Sequence, residues 1–368
     1  MRDLTEFRAY SADMNRAEKV LDEMFNRDPE QGTSFAFVAK RGGEIIAERY
    51  GVQPANDFEP AKQITKDSTL LSWSIAKSIT HAALGALIYQ YRHETSWGNG
   101  GTAKSITHAA VGLLVRDGLL DVDAPAAVPE WAGTDRGGIT LLQLLEMRPG
   151  LRFNEDYVDG DTSHCIEMLF GGRDPSFGHY AAALPLDHAP GSVFNYSSGT
   201  TNIVTRIIGD VLTGGPGGDA AHREAAMTEF LSSRLFIPAG MTSAIPKFDG
   251  AGDFVGSSYV YATARDFARF GELYLHDGVT EAGERILPEG WRDHARTRTG
   301  HDADSGLDYG RHFWLWPAFP GSFACHGYEG QFIVVFPDRD LVLAHLGKTG
   351  ISHGRGLQMR LARLAELL

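Results

Sequence analysis

Hydrophobic positions along this chain change their period twice. Over residues 13–26 they recur at helical spacing, with Met14, Ala17, Val20, Leu21 and Met24 on one side. SFAFVAK and EIIAERYG follow, joined through Arg41, Gly42 and Gly43, and predict two strands of a hairpin. From about residue 71 to 294 the pattern is mostly helical and broken by Gly/Pro-rich loops. ITLLQLLEM, SGTTNIVTRIIGDVL and ATARDFARFGELYLHDG predict helices, whereas PLDHAPGSVFNYSS and LTGGPGGDAAHRE predict loops or turns. After about residue 310 strands return as RHFWLWPA, SFACHGYEGQFIVVFP and LVLAHLGK, and GRGLQMRLARLAELL closes the chain as a helix. This order predicts an α/β (α+β) protein. Both chain ends, residues 1–70 and 295–368, form an antiparallel five-stranded sheet flanked by helices, and residues 71–294 form a large, mainly helical insertion domain.

The totals narrow the function classes. At 368 residues the chain can bury a large core, and 43% hydrophobic with 22% charged residues is a globular balance. A net charge of −13 without lysine or arginine runs argues against nucleic acid and against anionic membrane surfaces. No segment approaches 18 apolar residues, and the N-terminal stretch has no apolar h-region. The two cysteines, Cys165 and Cys325, make neither a metal spacing nor a disulfide framework, so a reduced, cytoplasmic setting is expected. The histidines form no metal-binding spacing, and GGPGGD at 214–219 lacks the lysine of a phosphate cradle.

One octapeptide occurs twice. AKSITHAA at 76–83 returns at 103–110, an offset of 27 residues, and the likeness continues from LGALIY into VGLLVR. A duplication within about 76–107 is the simplest origin. The copies differ at a decisive place: Ser74 stands three residues before Lys77, whereas Gly101 stands three residues before Lys104. Residues three apart on a helix share a face. A serine hydroxyl becomes a nucleophile when a base takes its proton, and a desolvated lysine can be that base. At a helix start, the free N–H groups and the dipole favour the developing oxyanion. Tyr196, Ser197 and Ser198 lie in a turn just before a helix, where a phenol near a lysine ammonium is drawn toward phenolate and can relay protons. A glycine-bearing strand, CHGYEGQF at 325–332, can bring a backbone N–H to the oxyanion.

These pieces, in this order, resemble the serine β-lactamase and penicillin-binding-protein superfamily, in its branch of esterases and 6-aminohexanoate-dimer (nylon oligomer) hydrolases. The resemblance spans nearly the whole chain. It implies Ser74 as nucleophile, Lys77 as base and Tyr196 as proton shuttle. It further implies Ser198 as a polar support near the lysine, Tyr157 (in LLEMRPGLRFNEDYVD) lining the pocket, and His326, Gly327 and Tyr328 on the substrate-binding strand. The Lys-Thr-Gly at 348–350 is a decoy: only a terminal helix follows it, and the place of the family triad reads Cys325-His326-Gly327.

The resemblance therefore implies a serine hydrolase that cleaves carboxylic esters or small amides through an acyl-enzyme, without cofactor or metal. The small-molecule substrate is its only partner, and the oligomeric state stays open. Two alternatives are a β-lactamase or D-amino-acid peptidase, and a catalytically silent scaffold in which the duplicated helix displaces the nucleophile. Because Ser74 continues directly from the upstream strand segment, the first copy is expected in the core and the second as a surplus helix. In the converse register the Lys104 helix occupies the same berth, with Gly101 in place of the nucleophile.

Overall fold

Strands β1 (Thr33–Arg41) and β11 (Leu341–Lys348), one near each end of the chain, pair antiparallel at the centre of one sheet. The computed structural model describes residues 4–55, 60–71, 101–155, 163–303, 305–316 and 319–368. Successive side chains of β1 serve opposite cores. Phe37 and Ala39 face α1 (Leu4–Phe25) and the terminal helix, Ile351–Leu367, while Ala36 and Val38 face the helical side. Period-two alternation with both faces covered explains why β1 and β11 are buried along nearly their whole length. On the helical side lies the amphipathic helix Ala264–Leu275, whose Glu272 pairs with the buried Lys40 of β1.

The sheet continues through β2 (Glu44–Tyr50), β9 (Phe323–Gly327) and β10 (Gln331–Phe336). Register places His326 opposite Phe332, Phe332 opposite His345, and His345 opposite Phe37, one row across four strands. The sequence also predicts five strands, but SFACHGYEGQFIVVFP, read as one of them, turns at 328–330 and forms both β9 and β10. Among the described residues the sheet has eight, in the order β2-β1-β11-β10-β9-β8-β7-β6. The strand expected over RHFWLWPA narrows to β8 (Trp314–Leu315), and β6 (Gly300–Asp302) and β7 (Leu307–Tyr309) are additions. Strands of three residues carry too few positions to display alternation, and a tight hairpin inside an apolar run does not interrupt it, so the sequence under-counts the sheet. A separate small sheet joins β3 (Leu70–Leu71), β4 (Ile245–Pro246) and β5 (Val260–Ala262).

The helical part packs α2 (Gly101–Arg116) against α3 (Ser198–Thr213) and strand β9. No helix among the described residues is long and apolar enough to cross a membrane. Both cysteines are buried, and neither forms a disulfide among the described residues.

Five histidines, three buried and two half-buried, give the fold an acid limit. Burial pushes His108 well below its ordinary 6.5, pushes His294, His312 and His326 down to about 3, and His345 to about 4. Below about pH 6.5 the unfolded chain binds protons that the folded chain refuses, so stability falls as the pH drops. The melting temperature is therefore expected to fall steeply between about pH 7 and about pH 5. A flat melting profile over that range contradicts the assignment of these rings as neutral.

Candidate active site

Helix α2 carries AKSITHAA, and its whole octapeptide is buried. Lys104, 1% exposed, donates from Nζ to Ser198 Oγ at 3.0 Å and to the Ser257 carbonyl at 3.3 Å. The same ammonium lies 4.6 Å from the ring centroid of Tyr196. The lysine of the second copy therefore occupies the berth, and Gly101 opens the helix where a serine would face the site. Ser74, Lys77 and Tyr157 lie outside the described residues.

The preference for the first copy in the core is thus corrected, and the second half of the helix gives the reason. The octapeptides are identical, so they cannot discriminate; the residues after them do. Leu113 is fully buried, whereas the first copy offers Ala86 at that position. Arg116 donates to the Arg285 carbonyl at 2.6 Å and Asp117 pairs with Arg234 at 2.8 Å; the first copy has Tyr89 and Gln90 there. The helix closes on Gly118 at φ 71°, with Leu119 N–H donating to Leu114 O and Gly118 N–H to Val115 O. This C-terminal cap needs a left-handed residue, and the first copy supplies Tyr91. A buried Leu-to-Ala change costs about 2–5 kcal/mol and a left-handed non-glycine about 1–2 kcal/mol. Continuity with β3 favours the first copy, but the downstream fit outweighs it by an estimated ~3 kcal/mol.

Neighbouring elements hold the lysine's partners in place. Ser197 caps α3 by accepting from Thr200 N–H, which sets Ser198 as the first helical residue. Glu155 accepts from Ser198 N–H at 2.7 Å and from its hydroxyl at 2.6 Å. Asn202 Oδ1 accepts from Ser257 N–H at 3.3 Å and fixes the loop whose carbonyl meets Lys104. The preceding Gly256 runs so close to α2 that a Cβ there would lie 2.2 Å from Thr107 Oγ1. Gly256→Ala is expected to destabilise the protein by about 1–3 kcal/mol, read from urea unfolding. An unchanged midpoint would mean that the loop is not pinned by this contact.

Burial drives the Lys104 pKa down, opposed by the charge of Glu155. Burial first, then Glu155, pushes Tyr196 well above its ordinary 10, against an indole hydrogen bond from Trp314. The phenol is thus neutral and a proton donor at rest, not the phenolate that a lysine neighbour alone would favour. Its ring stands edge-on to Tyr309 at 5.7 Å and against Trp314 at 5.3 Å. Behind α2, Ser105 donates to the His312 carbonyl, while His312 Nδ1 donates to Leu145 O and its Nε2 accepts from Thr201.

Of the predicted residues, the structure brings Tyr196 and Ser198 together around a lysine. His326 stacks on Trp314 at 5.7 Å, and its Nε2 accepts the Trp316 indole N–H at 2.6 Å, so that nitrogen is unprotonated. It reaches Tyr196 only through Trp314. Gly327 ends β9 opposite Gln331, and Tyr328 is half-buried in the following hairpin. Lys348 ends β11, as the sequence predicts for the decoy triad. Sequence reasoning missed Glu155, Trp314 and Tyr309. Glu155 lies two residues from the tyrosine chosen in the same segment, and its signal was a carboxylate beside apolar Leu151 and Phe153.

Residues 85–366, more than three quarters of the chain, match the family described as Beta-lactamase. The chain belongs to that family. The match begins downstream of Ser74 and Lys77 and takes in Lys104, Tyr196 and Ser198. A curated relative, the 6-aminohexanoate-dimer hydrolase of Paenarthrobacter ureafaciens, is 28% identical over 350 residues, covering 89% of this chain and 77% of that protein. Among solved structures, a family VIII carboxylesterase superposes with a TM-score of 0.66 at 16% identity, covering 96% of this chain and 97% of the other. The octameric penicillin-binding protein homologue from Pyrococcus abyssi superposes at 0.63 with 16% identity, covering 96% and 77%. A β-lactamase-family fold with hydrolase relatives is the frame in which the lysine–tyrosine site is read.

Proposed function

We propose that this protein is a serine hydrolase for small carboxylic esters or amides, with Ser74 as nucleophile, held largely in a silent register by its own duplication. The observation that carries this reading is the buried lysine ammonium between Ser198 Oγ, the Ser257 carbonyl and the face of Tyr196, with glycine three residues before it. The base site is assembled, and the nucleophile's place in it is empty of a side chain.

When the first copy fills the berth, Lys77 takes the place of Lys104 and Ser74 the place of Gly101. Lys77 then accepts the Ser74 proton as Oγ attacks the carbonyl. Backbone N–H groups of Ser74 and of a residue near His326–Tyr328 hold the oxyanion. Tyr196, a neutral phenol at rest, passes its proton to the leaving group and recovers one from the lysine. Water then releases the acid. The reaction needs no cofactor. A preference for esters and small amides over β-lactams rests on Cys325-His326-Gly327 standing in place of the triad whose cationic lysine would read a β-lactam carboxylate, and on the 6-aminohexanoate-dimer hydrolase and carboxylesterase names of the relatives.

The test is a substrate panel of short-chain p-nitrophenyl esters, small amides, 6-aminohexanoate oligomers and a chromogenic cephalosporin, with Ser74→Ala as control. Slow ester or amide turnover that Ser74→Ala removes is expected. Turnover that survives the substitution would sink the assignment, and a preference for the cephalosporin would replace it with a β-lactamase. Complete silence, including after the duplication is removed, supports the scaffold reading.

A further inference from the structure

The lysine is linked to a carboxylate through one hydroxyl, and that link has chemical consequences. Ser198 has a single hydroxyl proton. A carboxylate can only accept, so with Glu155 ionised the proton points to Oε1 at 2.6 Å, and Ser198 Oγ must accept from Lys104 at 3.0 Å. Glu155 also takes the Ser198 N–H at 2.7 Å, which seats the carboxylate on the N-terminus of the 16-residue helix α3, where negative charge is favoured. The chain of bonds is therefore directional: ammonium to hydroxyl to carboxylate.

Among the described residues, the groups facing the ammonium come from several elements. Glu155 precedes the segment leading to helix His164–Phe170, which carries Cys165; Tyr196 precedes α3; His312 precedes β8; and the Ser257 carbonyl closes the remaining side. Tyr309 reaches the ammonium only through the Tyr196 ring. Of these, Cys165 is buried and Tyr196 and His312 are held neutral, leaving Glu155 as the anion that compensates the lysine among the described residues.

We propose that Glu155 is a positioning residue that sets the protonation of whichever lysine fills the berth, through a two-step proton relay across Ser198. In the relay, Nζ gives a proton to Ser198 Oγ as the Ser198 hydroxyl proton passes to Glu155 Oε1. An Nζ–H and an Oγ–H bond break while a new Oγ–H and an Oε1–H form. Ammonium and carboxylate become amine and carboxylic acid, and no net charge is created in the buried site. The amine so formed is free to take the nucleophile's proton. The catalytic use of the relay rests on the serine hydrolase reading; its effect on Lys104 does not.

The experiment is an NMR titration of the lysine side chains, 13C-labelled at Cε, in the full chain. The sequence has eight lysines, and Lys104 is assigned by its loss in Lys104→Arg. Glu155→Gln is expected to lower the titration midpoint of Lys104 by about one pH unit or more, a tenfold change in its proton affinity. Ser198→Ala keeps the carboxylate and removes the bridge; it is expected to lower the midpoint by a smaller amount, and it decides the matter if Glu155→Gln does not fold. A midpoint that stays put in the folded variant overturns the proposal, whatever the substrate assays show. In the chain lacking residues 81–107, Glu155→Gln is also expected to move the acid limb of kcat/KM to lower pH with KM unchanged. An unmoved limb there, with the full-chain midpoint shifted, refutes the catalytic relay and leaves the protonation role standing.

Discussion

Deleting residues 81–107 is expected to raise the kcat/KM for a short-chain p-nitrophenyl ester by about 100-fold. The deletion joins Thr80 to His108, so the berth helix then begins with Ser74-Ile75-Ala76-Lys77 and ends with Leu113, Arg116, Asp117 and Gly118. One helix thereby combines the reactive start with the end that fits. In the full chain these halves belong to different copies. The fit of the second copy, with its buried Leu113, its Arg234–Asp117 pair and its left-handed Gly118, outweighs the first by an estimated ~3 kcal/mol. Each 1.4 kcal/mol is a factor of ten in the register ratio, so the competent register is on the order of one molecule in a hundred. Steady-state kinetics per folded molecule measures the gain. A deletion variant that folds and is no faster than the full chain means that the registers do not compete.

The two lysines are expected to respond to substitution in opposite directions. Lys77→Ala removes the base of the competent register and is expected to lower the remaining esterase activity by about 1,000-fold, within the usual range for a lost acid–base group. Lys104→Ala is expected to raise it. That substitution strips the silent register of its ammonium and leaves Ser198 and Glu155 facing a cavity. Breaking a buried charge pair costs about 3–5 kcal/mol, and only the first copy, with Lys77, can restore the pair. The expected increase is again about 100-fold, capped when the competent register becomes the major one. The reverse pattern, with Lys104 indispensable and Lys77 dispensable, would mean that Ser74 meets Lys104 across the copies.

The sequence made legible what rests on periodicity and on local chemistry. The long strands and the amphipathic helices declared themselves by spacing, because each buries one face or both over five or more residues. The short strands β6 and β7 did not, since three residues show no period to read. Tyr196 and Ser198 were found because a tyrosine and two serines before a helix make a compact local signal, and the structure sets both against a lysine. The register was misjudged for a physical reason. At the reactive start of each copy, chain continuity favours Ser74. The energy lies at the far end, in Leu113 and the Gly118 cap, whose mates Ala86 and Tyr91 were visible in the sequence. Glu155 escaped because its role depends on a non-local contact with α3, which no spacing along the chain encodes.

Mass-spectrometric mapping of a fluorophosphonate adduct, followed over time in the full chain and in the chain lacking residues 81–107, tests the central claim most directly. Labelling confined to Ser74, about 100-fold slower in the full chain, is the result expected from a nucleophile kept out of an assembled lysine–tyrosine berth. Equal rates in the two chains, or an adduct on any other residue, would contradict it.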